Sequence, residues 1–363
     1  MAVTFMTGFE VGTSTFYNAW NPTGLGVGSV GGAFSTTAAQ QHRTQTGIGG
    51  NYSIRHDASG SGGQDGRGWS SPLFSPGTSY RWVHLWWKRL LGNTYPAQIL
   101  FYRSASAQFS VQILNSGFIE LRLGSRTGTL LATSAAAYSG VGDTYWIAIN
   151  AKLKNGTNGA VRVYINGVLA VQTGASDNID TAATASDDWD QVHVLGSTNL
   201  GSPPQDSWCF DDVIITDDTT SAPGLSEYMI LPLVPTSDDT VQMTRSTGAN
   251  NFGTVDEVPP STTDYNEATA SGQEDIYGFS DTTFTPQNVL AVQSSTYVAR
   301  DGVIVSGQHT VVSGATTNRT TAETLSASGA YRATSGMWIT DPNTGIAWTA
   351  ANINAAKFGY KFT

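Results

Sequence analysis

TYWIAINAKLK (Thr144–Lys154) and AVRVYINGVLAVQ (Ala160–Gln172) lie one loop apart. Val161, Val163 and Ile165 recur at a period of two, the spacing of residues that share one face of a β-strand. Asn166-Gly167 then supplies the two residues of a tight hairpin turn. A strand, a loop, a strand and a turn are thus written into about thirty residues, and the fold reading grows from them.

Upstream, YRWVHLWWKRLL (Tyr80–Leu91) alternates Trp82, His84 and Trp86 with Val83, Leu85 and Trp87. Bulk on both faces is the mark of a strand covered on both sides. AQILFYRS (Ala97–Ser104), QFSVQIL (Gln108–Leu114) and FIELRLG (Phe118–Gly124) follow. Asn115-Ser116-Gly117 joins the last two as a predicted hairpin. VTFMTGFEV (Val3–Val11) opens the series, and QVHVLG (Gln191–Gly196) and WCFDDVIITDD (Trp208–Asp218) close it. DDTTSAPG (Asp217–Gly224) has the composition of a linker.

Strand patterns resume in YMILPLVP (Tyr228–Pro235), TVQMTRS (Thr240–Ser246), DIYGFSD (Asp275–Asp281), NVLAVQSSTYVAR (Asn288–Arg300), GVIVSGQHTVVSG (Gly302–Gly314) and YRATSGMWIT (Tyr331–Thr340). Asp301-Gly302 predicts a further hairpin. Ala350–Lys357 reads as a short helix with Thr349 as its N-cap. Phe358, Tyr360 and Phe362 then mark a final strand, with Ile353 directed to the core. The expectation is an all-β chain of two β-sandwich domains, 1–218 and 228–363, joined by a linker at 219–227. No tandem repeat is visible.

Composition agrees. Gly contributes 40 of 363 residues, charged residues are 13%, and hydrophobic residues are 39%, enough for packed cores. Lys+Arg number 18 against 28 Asp+Glu, a net charge of −10. That balance argues against nucleic acid as a partner, since phosphate binding needs clustered cations. The single cysteine, Cys209, allows no disulfide framework and reads as a buried thiol. The opening residues lack a basic segment followed by an apolar run, so no signal peptide and synthesis in a cytoplasm are expected. No stretch approaches the ~20 apolar residues of a membrane span.

The order TGFEVG, the central aromatic strand, SGFIELRLG, YWIAINAKL…GAVRVYINGVL and FDDVIITDD resembles the concanavalin A-like, laminin-G-like jelly roll over most of 1–218. The second half resembles a β-sandwich module of bacteriophage virion proteins. That likeness is carried by LPLVPTSDDTVQMTRSTGANNFGTVDEVPPSTTDYNEA, GQEDIYGFSD and TDPNTGIAWTAANINAAKFGYKF. Together the resemblances imply a bacteriophage virion structural protein, surface-exposed on tail, tail tip or head. It would act in particle assembly and host-surface adhesion, as a homo-oligomer in contact with other virion proteins. The alternative is a carbohydrate-binding receptor-recognition module with a host glycan as partner.

The jelly roll hosts glycosidases, which need two carboxyl groups ~5 Å apart for retention. The Glu-x-Asp-x-x-Glu pattern is absent, and Glu10 and Glu120 each stand alone. No histidine sits in a recognisable motif and no GxSxG is present, so an enzyme is not expected. No cofactor is expected beyond a candidate Ca²⁺, which laminin-G-like domains bind through Asp, Asn and backbone oxygens. Its candidate ligands are Asp211 and Asp212, then Asp187, Asp188 and Asp190. The plainer reading is that these aspartates bond to neighbouring amides or face solvent. Zinc has no ligand spacing. For glycan stacking the candidates are Trp20, Trp69 and Trp189, in polar, loop-like settings. The plainer reading is that each pins a loop to the sandwich. Trp82, Trp86, Trp146 and Trp348 read as core. GIGGNYSIRHDASGSGGQDGRG (Gly47–Gly68) lacks the Gly-Lys-Ser/Thr ending of a phosphate loop and reads as a surface loop.

Overall fold

The computed structural model describes residues 2–7, 42–44, 52–55, 68–71, 74, 80–89, 97–104, 106–125, 127–138, 140, 142–185, 187–196, 208–217, 228–257, 260–282, 288–300, 302–325 and 331–363. They fall into two compact units, one running up to Ile230 and the other from Leu231. The predicted linker 219–227 lies outside the described residues.

The first unit contains β1 (Ala2–Thr7), β2 (His42–Thr44), β3 (Tyr52–Arg55), β4 (Gly68–Ser70), β5 (Arg81–Arg89), β6 (Ala97–Arg103) and β7 (Ser106–Ile113). It continues with β8 (Ile119–Leu123), β9 (Leu130–Thr133), β10 (Thr144–Lys152), β11 (Ala160–Ile165), β12 (Val168–Gln172), β13 (Gln191–Gly196) and β14 (Trp208–Asp217). An eight-stranded sheet has the order β12-β11-β10-β5-β14-β3-β2, with β1 also paired to β14. A six-stranded sheet has the order β4-β13-β6-β7-β8-β9. Every pairing is antiparallel.

Alternation fixes the core. Val83, Leu85, Trp87, Ile147, Ile149 and Val163 form the inner face of the larger sheet. Ile99, Phe101, Phe109, Val111, Ile119 and Val192 face them from the smaller one. All twelve are buried. The hairpin predicted at Asn115-Ser116-Gly117 joins β7 to β8. The one predicted at Asn166-Gly167 joins β11 to β12, with φ of 49° and 80° at the two turn residues. Positive φ at both is the geometry that matches strand twist, and Gly167 takes it without strain.

The second unit contains β15 (Pro235–Thr240), β16 (Thr244–Arg245), β17 (Asn266–Glu267), β18 (Glu274–Phe279), β19 (Val292–Val298) and β20 (Ser306–Ser313). β21 (Thr316–Arg319), β22 (Glu323–Thr324), β23 (Arg332–Trp338), the helix α1 (Ala350–Ala355) and β24 (Lys357–Phe362) complete it. A six-stranded sheet has the order β15-β18-β24-β20-β21, with β22 beside β20. The β19–β23 pair packs over it as a second, smaller layer. Val311, Trp338, Trp348, Ile353, Ala356 and Phe358 form the core between them. Thr349 caps α1 by accepting the Asn352 amide at 3.2 Å, as expected.

Three local expectations are corrected. Asp301-Gly302 makes no hairpin: β19 pairs in full register with β23, and β20 pairs with β24, β21 and β22. β19 and β20 belong to different sheets, and a turn dipeptide cannot report that. Tyr228–Val234 is not a strand; Pro232 removes a ladder donor within it. Thr240–Ser246 is not one strand: Thr240 ends β15 and Thr244 and Arg245 form β16, because the Asp275 carboxylate claims the Gln242 and Met243 amides between them at 2.7 and 2.9 Å.

Candidate functional site

The outer face of the eight-stranded sheet is not a solvated face. Cross-strand register lines up Gln172, Arg162, Asn150, Trp82 and Thr216 across five strands, from β12 to β14. The adjacent row is Tyr164, Ala148, His84 and Ile214. His84 lies flat between two indoles, its ring centroid 5.7 Å from both Trp82 and Trp146. Tyr228 meets His84 edge-on at 4.8 Å, and its carbonyl accepts the Trp86 indole N–H at 2.9 Å. Tyr164 leans on Trp82 at 5.8 Å. Burial raises the Tyr164 phenol above its ordinary pKa against the pull of Arg162, so it stays a hydroxyl donor.

Trp82, Asn150, Thr216 and Trp146 are buried, whereas Trp86, Tyr164, Arg162 and Gln172 are half-buried and form the open margin. The Asn150 carboxamide oxygen takes a long hydrogen bond from Arg162 Nη1, 3.4 Å. Asn150 Nδ2, Trp82 Nε1, Trp146 Nε1 and Thr216 Oγ1 have no hydrogen-bond partner. An unpaired buried polar group costs about 1–3 kcal/mol, so four on one face make a feature that needs an explanation. Arg162 is held in place by Asp177, which also accepts the Tyr80 hydroxyl.

Of the predicted site residues, those described lie elsewhere. Trp20 lies outside the described residues. Trp69 is in β4 opposite Val194, and its side chain lies outside the described residues. Trp189 is fully buried and cannot stack on a sugar, which corrects the expectation. Its ring is edge-on to Phe74 and Phe101 at 5.3 and 4.9 Å, and Arg81 sits 5.6 Å from it. Arg81 also donates to the Trp189 carbonyl at 2.8 Å and pairs with Asp217 at 2.8 Å and Asp188 at 3.6 Å. The acidic setting that made Trp189 look exposed is the counter-charge of a buried arginine.

Asp211 and Asp212 sit on a bulge in β14, where the register with β5 shifts between Asp211 and Ile214. Asp212 has φ of 46°, and its amide donates to Asp211 Oδ1 at 2.8 Å. Asp190 takes Arg103 at 3.1 Å. Asp187 takes Lys154 Nζ and the Asn155 amide, which hold its carboxyl below the usual range. No group of three or more His, Cys, Asp or Glu converges on a metal position among the described residues. Glu120 is tied to Arg122 at 2.8 Å. Cys209 is buried, as read.

Asn150 was missed, although its signal was present: a lone amide inside YWIAINAKL, out of phase with Ile147 and Ile149. Trp82 and Trp146, expected as core, are buried, and a sequence pattern says nothing of whether their N–H groups find partners. In the second unit, a hollow of about 450 Å³ is lined by Met243–Gly248. Its one charged residue, Arg245, is turned onto the Gly248 carbonyl at 2.9 Å. No helix among the described residues is long and apolar enough to cross a membrane.

No protein-family model matches the chain, and no curated protein matches it in sequence. Among solved structures it is similar to an endo-β-1,4-glucuronan lyase from the fungus Trichoderma reesei, at 10% identity and TM-score 0.37, over 48% of this chain and 84% of that one. It is similar to the cellulose-induced protein Cip1 at 13% identity and TM-score 0.36, over 50% and 87%. It is also similar to the Caenorhabditis elegans galectin LEC-6 at 8% identity and TM-score 0.30, over 42% and 94%. These are likenesses of fold over about half of the chain.

Proposed function

We propose that the protein binds carbohydrate without catalysis, and that the outer face of the eight-stranded sheet holds the glycan. The observation that carries this reading is the set of partnerless polar atoms at Asn150, Trp82, Trp146 and Thr216, set among indole and phenol rings. Three of the four are N–H donors, which suits the hydroxyl and ring oxygens of a sugar. Tyr164 and Trp86, half-buried at the margin, offer the apolar ring surface that sugar C–H groups cover.

Retention on immobilised polysaccharides tests the reading. Wild-type protein is expected to be retained by at least one polysaccharide of a panel. Asn150→Leu, which keeps the volume, should weaken binding by about tenfold or more. Trp146→Phe, which keeps the ring and removes the N–H, should weaken it less. Equal retention of wild type and both variants, or no retention of any, would reject the site.

A setting on a bacteriophage particle rests on the resemblance of residues 228–363. Mass spectrometry of purified particles from the source culture tests it directly, and absence of the chain from them rejects it. Copy-to-copy assembly has its own support. Leu130, Val168 and Leu169 are 46%, 68% and 43% exposed on the edge strands β9 and β12, which lie against one another. An uncharged, apolar strand edge invites pairing with another copy. Val168→Lys should lower the oligomeric state in sedimentation; an unchanged state places the contact elsewhere.

A further inference from the structure

The six-stranded sheet also has an outer face, and its chemistry differs. Gln98 lies directly opposite Gln112, and Ser110 is two residues from Gln112 on the same face of β7. Their exposures are 3%, 4% and 0%. Gln98 Nε2, Gln112 Nε2 and Ser110 Oγ all lack a hydrogen-bond partner. The triangle is bounded on one side by Tyr102 and His193, stacked at 4.0 Å, with His193 Nε2 2.9 Å from Gln191 Oε1. On the other side, Glu120 and Arg122 neutralise one another and are half-buried, so the face reaches solvent along β8.

We infer that this amide and hydroxyl triangle is a second binding site, for the hydroxyl edge of a neutral sugar. Three side chains, each more than nine-tenths buried, leave unpaired polar atoms at neighbouring positions of one face of β6 and β7. No fold requirement places them there: alternation needs only that their neighbours Ile99, Val111 and Ile113 face inward. The patch has no net charge. Glu120 is balanced by Arg122, and desolvation lowers the His193 pKa to about 4, so the imidazole is neutral above that pH. A neutral donor set without an open aromatic face recognises hydroxyl groups and not the apolar face of a ring. The first site adds aromatic rings to its N–H donors. The inference extends the carbohydrate reading above, and the unit would then hold two glycan segments on opposite sides of one sandwich.

Calorimetric titration of the whole chain tests it, with short oligosaccharides of mannan, galactan and β-glucan as probes. Two sugars per chain are expected for wild type. Gln98→Leu with Gln112→Leu should leave one site and weaken the lost one by more than about tenfold. Ser110→Ala is the gentler variant if the double change disturbs folding, and thermal unfolding checks both. Binding through the neutral His193 face should also hold constant between pH 5 and 8. One site in wild type that survives these changes and is lost in Asn150→Leu overturns this inference and leaves the first site standing. One site lost in the glutamine variants and kept in Asn150→Leu supports this inference and removes the first site. No binding of any probe rejects both.

Discussion

In the second unit the buried Asp275 carboxylate receives four hydrogen bonds, from the Gln242 and Met243 amides, Asn251 Nδ2 and the Tyr277 hydroxyl, at 2.7 to 3.0 Å. In the first unit the buried Gln98 and Gln112 amide nitrogens donate none. The contrast is general. Asp341, fully buried, takes Asn343 N, Thr344 Oγ1 and Asn352 Nδ2. His309 joins the two layers of the second unit through Ser294 at 3.1 Å and Thr334 at 3.0 Å. Among the buried side-chain polar atoms described in that unit only Asn251 Oδ1 and Asp264 Oδ1 lack a partner. Buried polarity there replaces regular ladder bonds and fixes loops. On the outer faces of the first unit Asn150, Trp82, Trp146, Thr216, Gln98, Gln112 and Ser110 each leave a buried polar atom unpaired, and that difference carries the ligand proposal.

The comparison can be broken most forcefully at Asp275. Asp275→Ala strands four donors and should destabilise the second unit by on the order of 4–5 kcal/mol, read from urea unfolding. A loss below about 1 kcal/mol would show that the network is ornamental. Thr310→Val removes the hydroxyl that donates to Glu274 Oε1 and should cost about 1–2 kcal/mol.

Acid supplies the third test. Burial opposes ionisation of Glu274, but the hydrogen bonds from Arg319 and Thr310 and the Arg319 and Lys361 charges outweigh it, so its pKa lies below the ordinary 4.5. The unfolded chain therefore takes up the proton first as pH falls. The stabilisation is complete above 4.5 and is lost as pH drops through the lower folded value. Glu274→Gln should flatten that part of the stability–pH curve; an unchanged curve would assign the acid sensitivity to other groups. The smallest effect belongs to the first unit. Gln112→Leu removes an unpaired amide and should leave stability unchanged or raise it by up to about 1 kcal/mol. A clear loss there would mean that the amide is satisfied within the protein, and the contrast between the units would close.

Much of the architecture could be read before any coordinates. Asn166-Gly167, Asn115-Ser116-Gly117 and the closing Phe358, Tyr360 alternation are local signals, and each describes neighbours in the chain. Asp301-Gly302 misled because β19 finds its partner some forty residues away, in β23. Trp189 misled because the arginine beneath it, Arg81, comes from another strand. The candidate faces were hidden for a related reason. A strand with bulk on both sides says that both faces are covered and not what covers them. Whether Asn150 or Gln112 finds a partner depends on atoms brought together only by register.

The pairing of β1 with β14 joins Ala2 to Asp217 and Thr7 to Val213. More than two hundred residues separate the two strands, so a newborn chain completes one well before the other. At 5–20 residues per second that interval is roughly 10–40 s. During it β14, the central partner of β1, β3 and β5, does not yet exist. The first unit therefore assembles late, by closing a long loop, and refolding slowed by distant contacts is the behaviour expected of it.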